Sequence, residues 1–241
     1  MLRGLTAFIA RQQFTPGLIG PFVNPFFLAR HGLHTEIRRV APKIQGLLLD
    51  VGCGRRPYRE LFGGCRYIGL EIQAPQQTVL KKANVLYDGL HFPFADQQFD
   101  AIICNQVIEH VFEPAPFLDS IHRLLKPGGK LLITAPFVWD EHEQPQDYAR
   151  YTSFGLAYLL RKHGFEVQKL VKINPGPAAL CQLVNAYLYK MLWTKKPILN
   201  LITCTFLMAP FSVLGASLQL FLPKGQDLYL DQLVLAVRTA Q

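Results

Sequence analysis

The stretch that decides the fold of this 241-residue chain is Leu47-Leu48-Leu49-Asp50-Val51-Gly52-Cys53-Gly54. An apolar run of this kind is typical of a parallel strand that is buried on both faces. Gly52 and Gly54 allow the backbone to turn sharply and to approach a ligand at a distance where a Cβ atom would collide. The stretch therefore predicts a strand that leads directly into a ligand-binding turn.

A dinucleotide pocket is one interpretation of this turn, and two features argue against it. Asp50 would place a carboxylate close to a pyrophosphate. The third glycine of the dinucleotide fingerprint is also missing, because the chain continues from Gly54 through two arginines to Pro57. An NAD-dependent dehydrogenase is therefore disfavoured.

Further landmarks follow in a fixed order along the chain. Glu71 ends a second short apolar segment and lies 21 residues after Asp50, close to the spacing of roughly 20 residues at which a βαβ unit places a carboxylate on ribose hydroxyls. Asp88 follows a third such segment. Two more strands are announced by the stretches Phe92-Pro93-Phe94-Ala95-Asp96-Gln97-Gln98-Phe99-Asp100 and Leu125-Lys126-Pro127-Gly128-Gly129.

This order of parts resembles the class I S-adenosylmethionine-dependent methyltransferases, in particular their type 11 branch. The resemblance covers residues 45–172 and one further strand near the end. It implies an α/β fold, with a Rossmann-like seven-stranded methyltransferase sheet and helices on both faces. Arg56 is a departure, since many relatives carry a further glycine there. Asp100 is expected to fix the entry to the fourth strand.

The resemblance also implies which residues bind S-adenosyl-L-methionine. The turn Gly52-Cys53-Gly54 would contact the cofactor beside Asp50, with Gly52 and Gly54 along its methionine part. Glu71 would hold the ribose. The remaining implied contacts are Asp88, Gly89 and Leu90 at the adenine and Gln106 beneath the sulfonium.

Charge and cysteine content limit the setting in which the chain works. Residues 47–172 hold 14 basic and 14 acidic residues, so the net charge of +8 arises in the flanks. These flanks are aliphatic rather than arginine-rich, which disfavours nucleic acid as a partner. The five cysteines are odd in number and scattered, which indicates a reducing cytoplasm. The N-terminus does not resemble a secretory signal.

The flanks suggest a domain organisation and a membrane partner. We expect a basic, apolar helical segment at 1–44, a methyltransferase domain at 45–176 and 227–241, and a hydrophobic, basic helical insert at 177–226. Residues 197–223 carry no charge and are long enough to cross a bilayer. A predicted closing strand after them favours an in-plane or re-entrant helical insert that Pro210 divides into halves, in peripheral contact with the inner face of a membrane. A helical cap on the core or a homodimer interface is the alternative.

Polar and aromatic residues concentrate in the loop after the fifth strand. Its sequence from His142 to Thr152 reads His-x-x-Pro-x-Asp-Tyr-x-Arg-Tyr-Thr and resembles a loop of bacterial methyltransferases encoded among surface-polysaccharide genes. His142 is the first candidate for a general base, since imidazole titrates near neutral pH. Asp147 would orient His142 or take the proton, and Arg150 would grip a substrate phosphate or carboxylate. Tyr148 and Tyr151 would wall the site, and His110 is a second candidate base.

Together these features predict a methyltransferase for a lipid-linked or amphipathic acceptor, with a lipid-linked sugar as the first choice. A quinone-like ring or a fatty acid is the alternative acceptor. An inactive cofactor-binding scaffold that docks membrane enzymes is the alternative from another class. The spacing of Asp140, Glu141, His142 and Glu143 fits no known ligand motif, so no metal is expected.

Overall fold

The computed structural model describes residues 11–73, 82–223 and 225–239. Seven strands form one mixed sheet in the order β3-β2-β1-β4-β5-β7-β6. The strands are β1 Gly46–Val51, β2 Cys65–Ile72, β3 Val85–Tyr87, β4 Phe99–Asn105, β5 Leu125–Pro136, β6 Phe165–Pro175 and β7 Tyr229–Arg238. The predicted seven-stranded, Rossmann-like methyltransferase fold is thereby confirmed.

Helices connect and follow these strands. Before β1 lie α1 Gly20–Val23 and α2 Phe27–Val40, while α3 Pro114–Leu124 precedes β5 and α4 Ser153–Lys162 precedes β6. Between β6 and β7 the chain forms α5 Pro177–Leu192, α6 Pro197–Thr203, a π-helical turn Cys204–Met208 and α7 Ala209–Phe221. The predicted apolar helical insert before the last strand is therefore present.

The decisive stretch forms β1, as its apolar run predicts. Leu48, Leu49 and Val51 are fully buried, and β1 pairs in parallel with β2 on one side and β4 on the other. Asp100 accepts a hydrogen bond from the backbone N–H of Leu47 at 2.8 Å and pairs with Lys126 at 2.6 Å. Asp100 thus ties the start of β4 to the start of β1, in agreement with its expected structural role.

The register of the parallel strands aligns their carboxyl ends. Val51 lies opposite Leu70 of β2 and opposite Cys104 of β4. The residues that follow these positions therefore emerge at one edge of the sheet, which is where open α/β sheets bind ligands. This edge carries the candidate site.

The described chain divides into two compact units. One comprises residues 11–36, Val138–Asp140 and Lys172–Asp231, and the other comprises Ile37–Phe137, Glu141–Val171 and residues 232–239. The second unit contains β1 to β5 and the polar loop, while the first contains the apolar helices. The domain limits drawn from the sequence stay a prediction.

The apolar helix remains continuous where a break was expected. Pro197–Phe221 is a single helix of 25 residues with a mean hydropathy of 1.8, long and apolar enough by composition to cross a membrane. Pro210 lies two residues after the end of the π-helical turn Cys204–Met208. Proline lacks an N–H and crowds the preceding turn, and a π-turn relieves this locally without ending the helix.

Candidate active site

The turn after β1 has the geometry that its glycines predict. Gly52 has φ +66° and Gly54 has φ +50°, a region of backbone space that favours glycine. A Cβ atom on Gly52 would lie 2.6 Å from Cγ2 of Val107, whereas one on Gly54 would meet nothing within 4 Å. Gly52 is therefore required by packing, and Gly54 faces open space beside the backbone.

Backbone hydrogen bonds join this turn to the end of β2. The N–H of Cys53 donates to the carbonyl of Leu70 at 3.1 Å, and the N–H of Gly54 donates to Oε2 of Glu71 at 2.7 Å. The acid predicted to hold the ribose therefore lies directly against the glycine turn.

Arg56 shows how the chain accommodates its departure from the glycine-rich pattern. Its φ is +56°, so this position does adopt the left-handed conformation that a glycine would favour. Its Nη2 atom donates to Oδ1 of Asn84 at 2.7 Å, and that same amide oxygen accepts the N–H of Gly69 at 2.9 Å. The arginine thus links the turn to the segment before β3.

Asp50 is buried at the end of β1 and is paired with a residue that the sequence does not single out. The hydroxyl of Tyr67 donates a short hydrogen bond to its carboxylate. Burial raises the pKa of Asp50 to about 7, and the charge of Glu71 adds to this, although the Tyr67 hydrogen bond acts in the opposite direction. A cationic amino group nearby would favour the ionised form. Only the parallel pairing of β1 with β2 brings Tyr67 to this position.

The adenine-loop candidates lie after β3. Oδ1 of Asp88 accepts the N–H groups of Leu90 at 2.8 Å and His91 at 2.7 Å, and Oδ2 lies 2.8 Å from Nδ1 of His91. Hydrogen bonds from His91 and Leu90 lower the pKa of Asp88 to about 2. Gly89 has φ +87° and the side chain of Leu90 is exposed. The carboxylate thus holds its own loop in shape, and Leu90 offers an apolar surface.

Gln106 follows β4 at the same edge. Its φ is +55°, and its N–H donates to the carbonyl and to the hydroxyl oxygen of Thr134, each at 3.1 Å. Thr134 in turn donates to Oδ1 of Asn105 at 2.7 Å. This network holds Gln106 at the carboxyl end of β4, and its contact with the sulfonium stays a prediction.

The loop after β5 is organised around Asp147. Its side chain is only 3% exposed, and both of its oxygens accept from Arg150, at 2.6 Å and 2.7 Å. Asp147 also accepts the N–H of His142 at 2.9 Å, and its Oδ2 lies 3.2 Å from Nδ1 of that ring. The Arg150 hydrogen bonds hold the pKa of Asp147 well below its usual range. Asp147 is therefore placed to orient His142 rather than to take a proton. The guanidinium group of Arg150 forms a bidentate ion pair with Asp147.

The second candidate base lies beside the first. The rings of His110 and His142 are 4.9 Å apart, edge to face, and Nδ1 of His110 lies 2.7 Å from the carbonyl oxygen of Gln146. Glu109 is fully buried beside them, and its carbonyl accepts the N–H of Tyr148 at 2.9 Å. No role was predicted for Glu109 from the sequence, although an acid between the apolar Ile108 and the candidate base His110 is a signal for one.

The two tyrosines of the loop differ in exposure. Tyr151 packs against the core of the sheet, its carbonyl accepts from Nε2 of Gln232 at 2.6 Å, and burial together with the charge of Glu109 raises its pKa. Tyr148 is half-exposed and meets Phe112 edge to face at 5.2 Å. Tyr151 therefore backs the loop, and Tyr148 forms part of its outer wall.

The residues at the edge of the sheet fit the predicted cofactor. The open space at Gly54, the adjacent Glu71 carboxylate and the exposed Leu90 suit a ligand with a polar sugar between an amino-acid part and a flat base. The strand order and this edge define the class of protein, a Rossmann-like methyltransferase domain.

Comparisons with known proteins identify the domain further. Residues 49–133 match the model of a family described as a methyltransferase domain, the type 11 methyltransferases. An uncharacterized methyltransferase of Mycobacterium leprae is 30% identical over an alignment of 155 residues, with 59% of this chain and 54% of the relative covered. A probable S-adenosylmethionine-dependent methyltransferase of Mycolicibacterium smegmatis is 28% identical over 186 residues, with 71% of this chain and 70% of the relative covered.

A solved structure supports the same fold. The phosphoethanolamine N-methyltransferase 2 of Haemonchus contortus, in complex with S-adenosyl-L-methionine, aligns with a TM-score of 0.58 and 19% identity, over 97% of this chain and 57% of that one. The prediction of a class I S-adenosylmethionine-dependent methyltransferase domain is confirmed, and S-adenosyl-L-methionine is its cofactor. This chain spans about half the length of the first relatives it matches, 54% of the Mycobacterium leprae protein.

Proposed function

We propose that this chain transfers a methyl group from S-adenosylmethionine to a hydroxyl of a lipid-linked or amphipathic acceptor, a lipid-linked sugar first, at the inner face of a membrane. The observation that carries the transferase part is the polar array of His142, Asp147 and Arg150 in the unit that also holds the cofactor edge. The array is ordered by hydrogen bonds and partly exposed. The surface-polysaccharide resemblance of the same loop supports a sugar.

The described side chains support a simple mechanism. The acceptor oxygen attacks the methyl carbon, the carbon–sulfur bond breaks as the oxygen–carbon bond forms, and S-adenosylhomocysteine leaves. His142 takes the hydroxyl proton. Nδ1 of His142 lies 3.2 Å from the Asp147 carboxylate, and with the proton on Nδ1 the ring presents Nε2 as the base. Alignment of the two reactants supplies most of the remaining rate enhancement.

The membrane part of the proposal is supported by the apolar helix and its surroundings. Its buried side carries Asn200, Cys204, Met208, Ser212 and Gly215, at spacings of three and four residues. The opposite side exposes Ile202, Phe206, Val213 and Leu220, at spacings of four and seven. Water-soluble helices normally show the reverse pattern. An apolar face that points outward favours the acyl region of a bilayer.

The neighbouring helix adds a second apolar stripe. Leu180, Val184, Tyr187 and Met191 lie on α5 at helical spacing and are exposed. Helices α5 and α7 pack closely, since a Cβ on Gly215 would lie 2.9 Å from Cβ of Cys181. An aromatic cluster at the end of α5, in which Tyr189 and Trp193 are 4.6 Å apart, is suited to the headgroup level.

Charge complements this apolar surface. Lys195 and Lys196 are exposed in the turn between α5 and α6, and Lys190 pairs with Asp140 at 2.8 Å. A cation near an anionic leaflet adds about 1 kcal/mol of binding. The homodimer alternative needs apolar area but no such cations, so anionic lipid is the better partner.

Two experiments test the proposal. The first follows radiolabelled methyl transfer from S-adenosylmethionine into the lipid-extractable fraction of bacterial membranes, with wild type, His142→Ala and Asp147→Asn. We expect a loss of about 100-fold or more for His142→Ala if it acts as base. Absence of label transfer by the wild type would support the inactive cofactor-binding scaffold, and transfer at the wild-type rate by both variants would contradict a catalytic role of this loop. Label in quinone or fatty-acid fractions would support the alternative acceptors.

The second measures flotation with vesicles of anionic or neutral phospholipid. The double variant Lys195→Ala/Lys196→Ala should bind anionic vesicles about 30-fold more weakly, since about 1 kcal/mol is lost for each cation. The matched control is Arg161→Ala/Lys162→Ala, which removes two adjacent exposed cations from α4. Equal weakening in both double variants, or a concentration-dependent dimer without vesicle binding, would contradict membrane contact.

A further inference from the structure

Three metal-ligating side chains converge in the loop region of the active site. Glu109, His110 and His142 each offer one ligand atom, and these three atoms lie within 4.8 Å of one another. They come from two separate segments, the turn after β4 and the loop after β5. The four residues Asp140 to Glu143, whose spacing gave no ligand motif, supply only one member of this set.

The distances are close to those of a coordinated ion. Oε1 of Glu109 lies 3.9 Å from Nε2 of His110. Nitrogen and oxygen ligands bind zinc tetrahedrally at about 2.0–2.2 Å, so two ligands of one ion lie about 3.3–3.6 Å apart. The Glu109–His110 pair exceeds this separation by about 0.5 Å, and closure of all three ligands on one ion needs movements of at most about 1.5 Å.

A hydrogen-bond acceptor lies beside Nδ1 of each imidazole. Nδ1 of His110 lies 2.7 Å from the carbonyl oxygen of Gln146, and Nδ1 of His142 lies 3.2 Å from the Asp147 carboxylate and 3.5 Å from Nη2 of Arg150. The Gln146 carbonyl favours a proton on Nδ1 of His110, which leaves the Nε2 lone pair of that ring for a ligand. Carbonyl and carboxylate partners of this kind are the usual outer support of metal-binding histidines.

The electrostatic setting also suits a cation. Glu109 is fully buried, and Oε2 of Glu143 lies 3.9 Å from Nε2 of His110 at the exposed rim. Two carboxylates close to two neutral imidazoles balance the charge of a divalent ion. A buried carboxylate is strongly stabilised by such a partner.

We propose that Glu109, His110 and His142 bind one divalent transition-metal ion, zinc first, which holds the acceptor oxygen. Two imidazoles and a carboxylate suit zinc and its neighbours, whereas magnesium prefers oxygen ligands and water. Three protein ligands leave one position open for a substrate oxygen, whose pKa the ion lowers. This inference rests on the proposed function and gives His142 the role of a ligand, in place of the general base of the metal-free mechanism.

The test is a titration of untagged, chelator-treated protein with Zn²⁺ and with Co²⁺, the latter followed by its visible absorption. We expect one ion per chain in the wild type and at least a 10-fold loss of affinity in Glu109→Gln, His110→Ala and His142→Ala. Asp147→Asn, which alters the outer support of His142 and the ion pair with Arg150, should weaken binding about 10- to 100-fold. Thermal melting followed by circular dichroism distinguishes a loss of metal affinity from misfolding. His142 lies in a loop, so removal of its ring in His142→Ala leaves the core intact.

His163→Gln is the matched control. His163 also contacts a carboxylate, with Nδ1 2.6 Å from Oδ1 of Asp119, but it belongs to no group of three metal-ligating side chains among the residues that the structure describes. The affinity of the His163→Gln variant for the ion should equal that of the wild type. Absence of stoichiometric binding, or equal binding in the ligand variants, would overturn the proposal. A parallel titration with S-adenosylmethionine keeps the outcomes distinct, because a failure there contradicts the proposed function and leaves the metal result intact.

Discussion

The two apolar runs of this chain have opposite surroundings. In the strand run, residues 47–54, the side chains of Leu48, Leu49 and Val51 are fully buried on the two faces of the sheet. In the helix run, Pro197–Phe221, only a third of the most apolar window is buried. The amino-acid types are similar, so hydrophobicity alone does not decide burial. A parallel strand has partners on both sides of it, whereas a helix that packs along one face leaves the other to an external partner.

The largest difference between the two runs should appear when the same substitution is made in each. Leu49→Ala leaves a cavity in a fully buried site and should lower the free energy of unfolding by about 2–5 kcal/mol. Leu220→Ala, at a side chain that is 79% exposed, should change it by less than about 0.5 kcal/mol. Urea denaturation of the two variants measures both values. Equal losses would show that the helix run is also a buried core.

The next effect concerns the acid at the end of the strand run. Because the folded-state pKa of Asp50 is raised from 3.8 to about 7, the folded protein holds a proton that the unfolded chain releases. This stabilisation is complete below about pH 4 and is lost as the pH rises to about 7. The free energy of unfolding falls over this range by at most about 1.4 kcal/mol per pH unit. In Asp50→Asn the decline in unfolding free energy over this window should be absent. A decline of the same size in that variant would assign the titration to another group.

A smaller effect is expected at the turn that ends the strand run. Gly52→Ala combines φ +66° with a Cβ contact of 2.6 Å to Val107, and we expect a cost of about 1–3 kcal/mol together with weaker S-adenosylmethionine binding. Gly128→Ala is the control, since Gly128 has φ +73° but a Cβ there would meet nothing within 4 Å. Calorimetric titration of both variants separates backbone strain from the close approach to Val107. Comparable loss of cofactor affinity in the two would contradict a role for the Gly52 contact.

The smallest effect on stability should come from the exposed face of the helix run. Phe206 is 76% exposed, so Phe206→Ser should leave the free energy of unfolding within about 0.5 kcal/mol of the wild type. Its binding to anionic vesicles should nevertheless weaken. Phe154→Ser, at an 83% exposed phenylalanine of α4, should change neither quantity. Destabilisation by Phe206→Ser in the absence of lipid would show that this face already has a partner within the protein.

The cofactor edge was largely predictable from sequence because its determinants are local. A glycine at a positive φ, an acid at a strand end and an apolar run each leave a mark on a few consecutive residues. Gly52, Gly54, Glu71 and Gln106 therefore lie where the sequence predicts, around one edge of the sheet. Their roles as cofactor contacts stay a prediction, and so do those of Asp50, Cys53, Asp88, Gly89 and Leu90.

The acceptor side was less predictable because its contacts join distant segments. His142, Asp147 and Arg150 were selected as separate candidates, yet the structure makes them one hydrogen-bonded unit. The closeness of Glu109 and His110 to His142 bridges more than 30 positions of sequence. No local pattern specifies such a contact, since it depends on the relative placement of two loops at the end of the sheet.

The sequence by itself determined the order of the strands along the chain, the glycine turn, the cofactor class and the presence of a long apolar helix, because each depends on composition and spacing within short windows. The tertiary structure alone decided that Tyr67 pairs with Asp50, that Asp147 is held by Arg150, and which face of Pro197–Phe221 is exposed. These features arise from pairing and packing between segments far apart in the chain. Their free energies depend on distances and burial that only the folded chain sets.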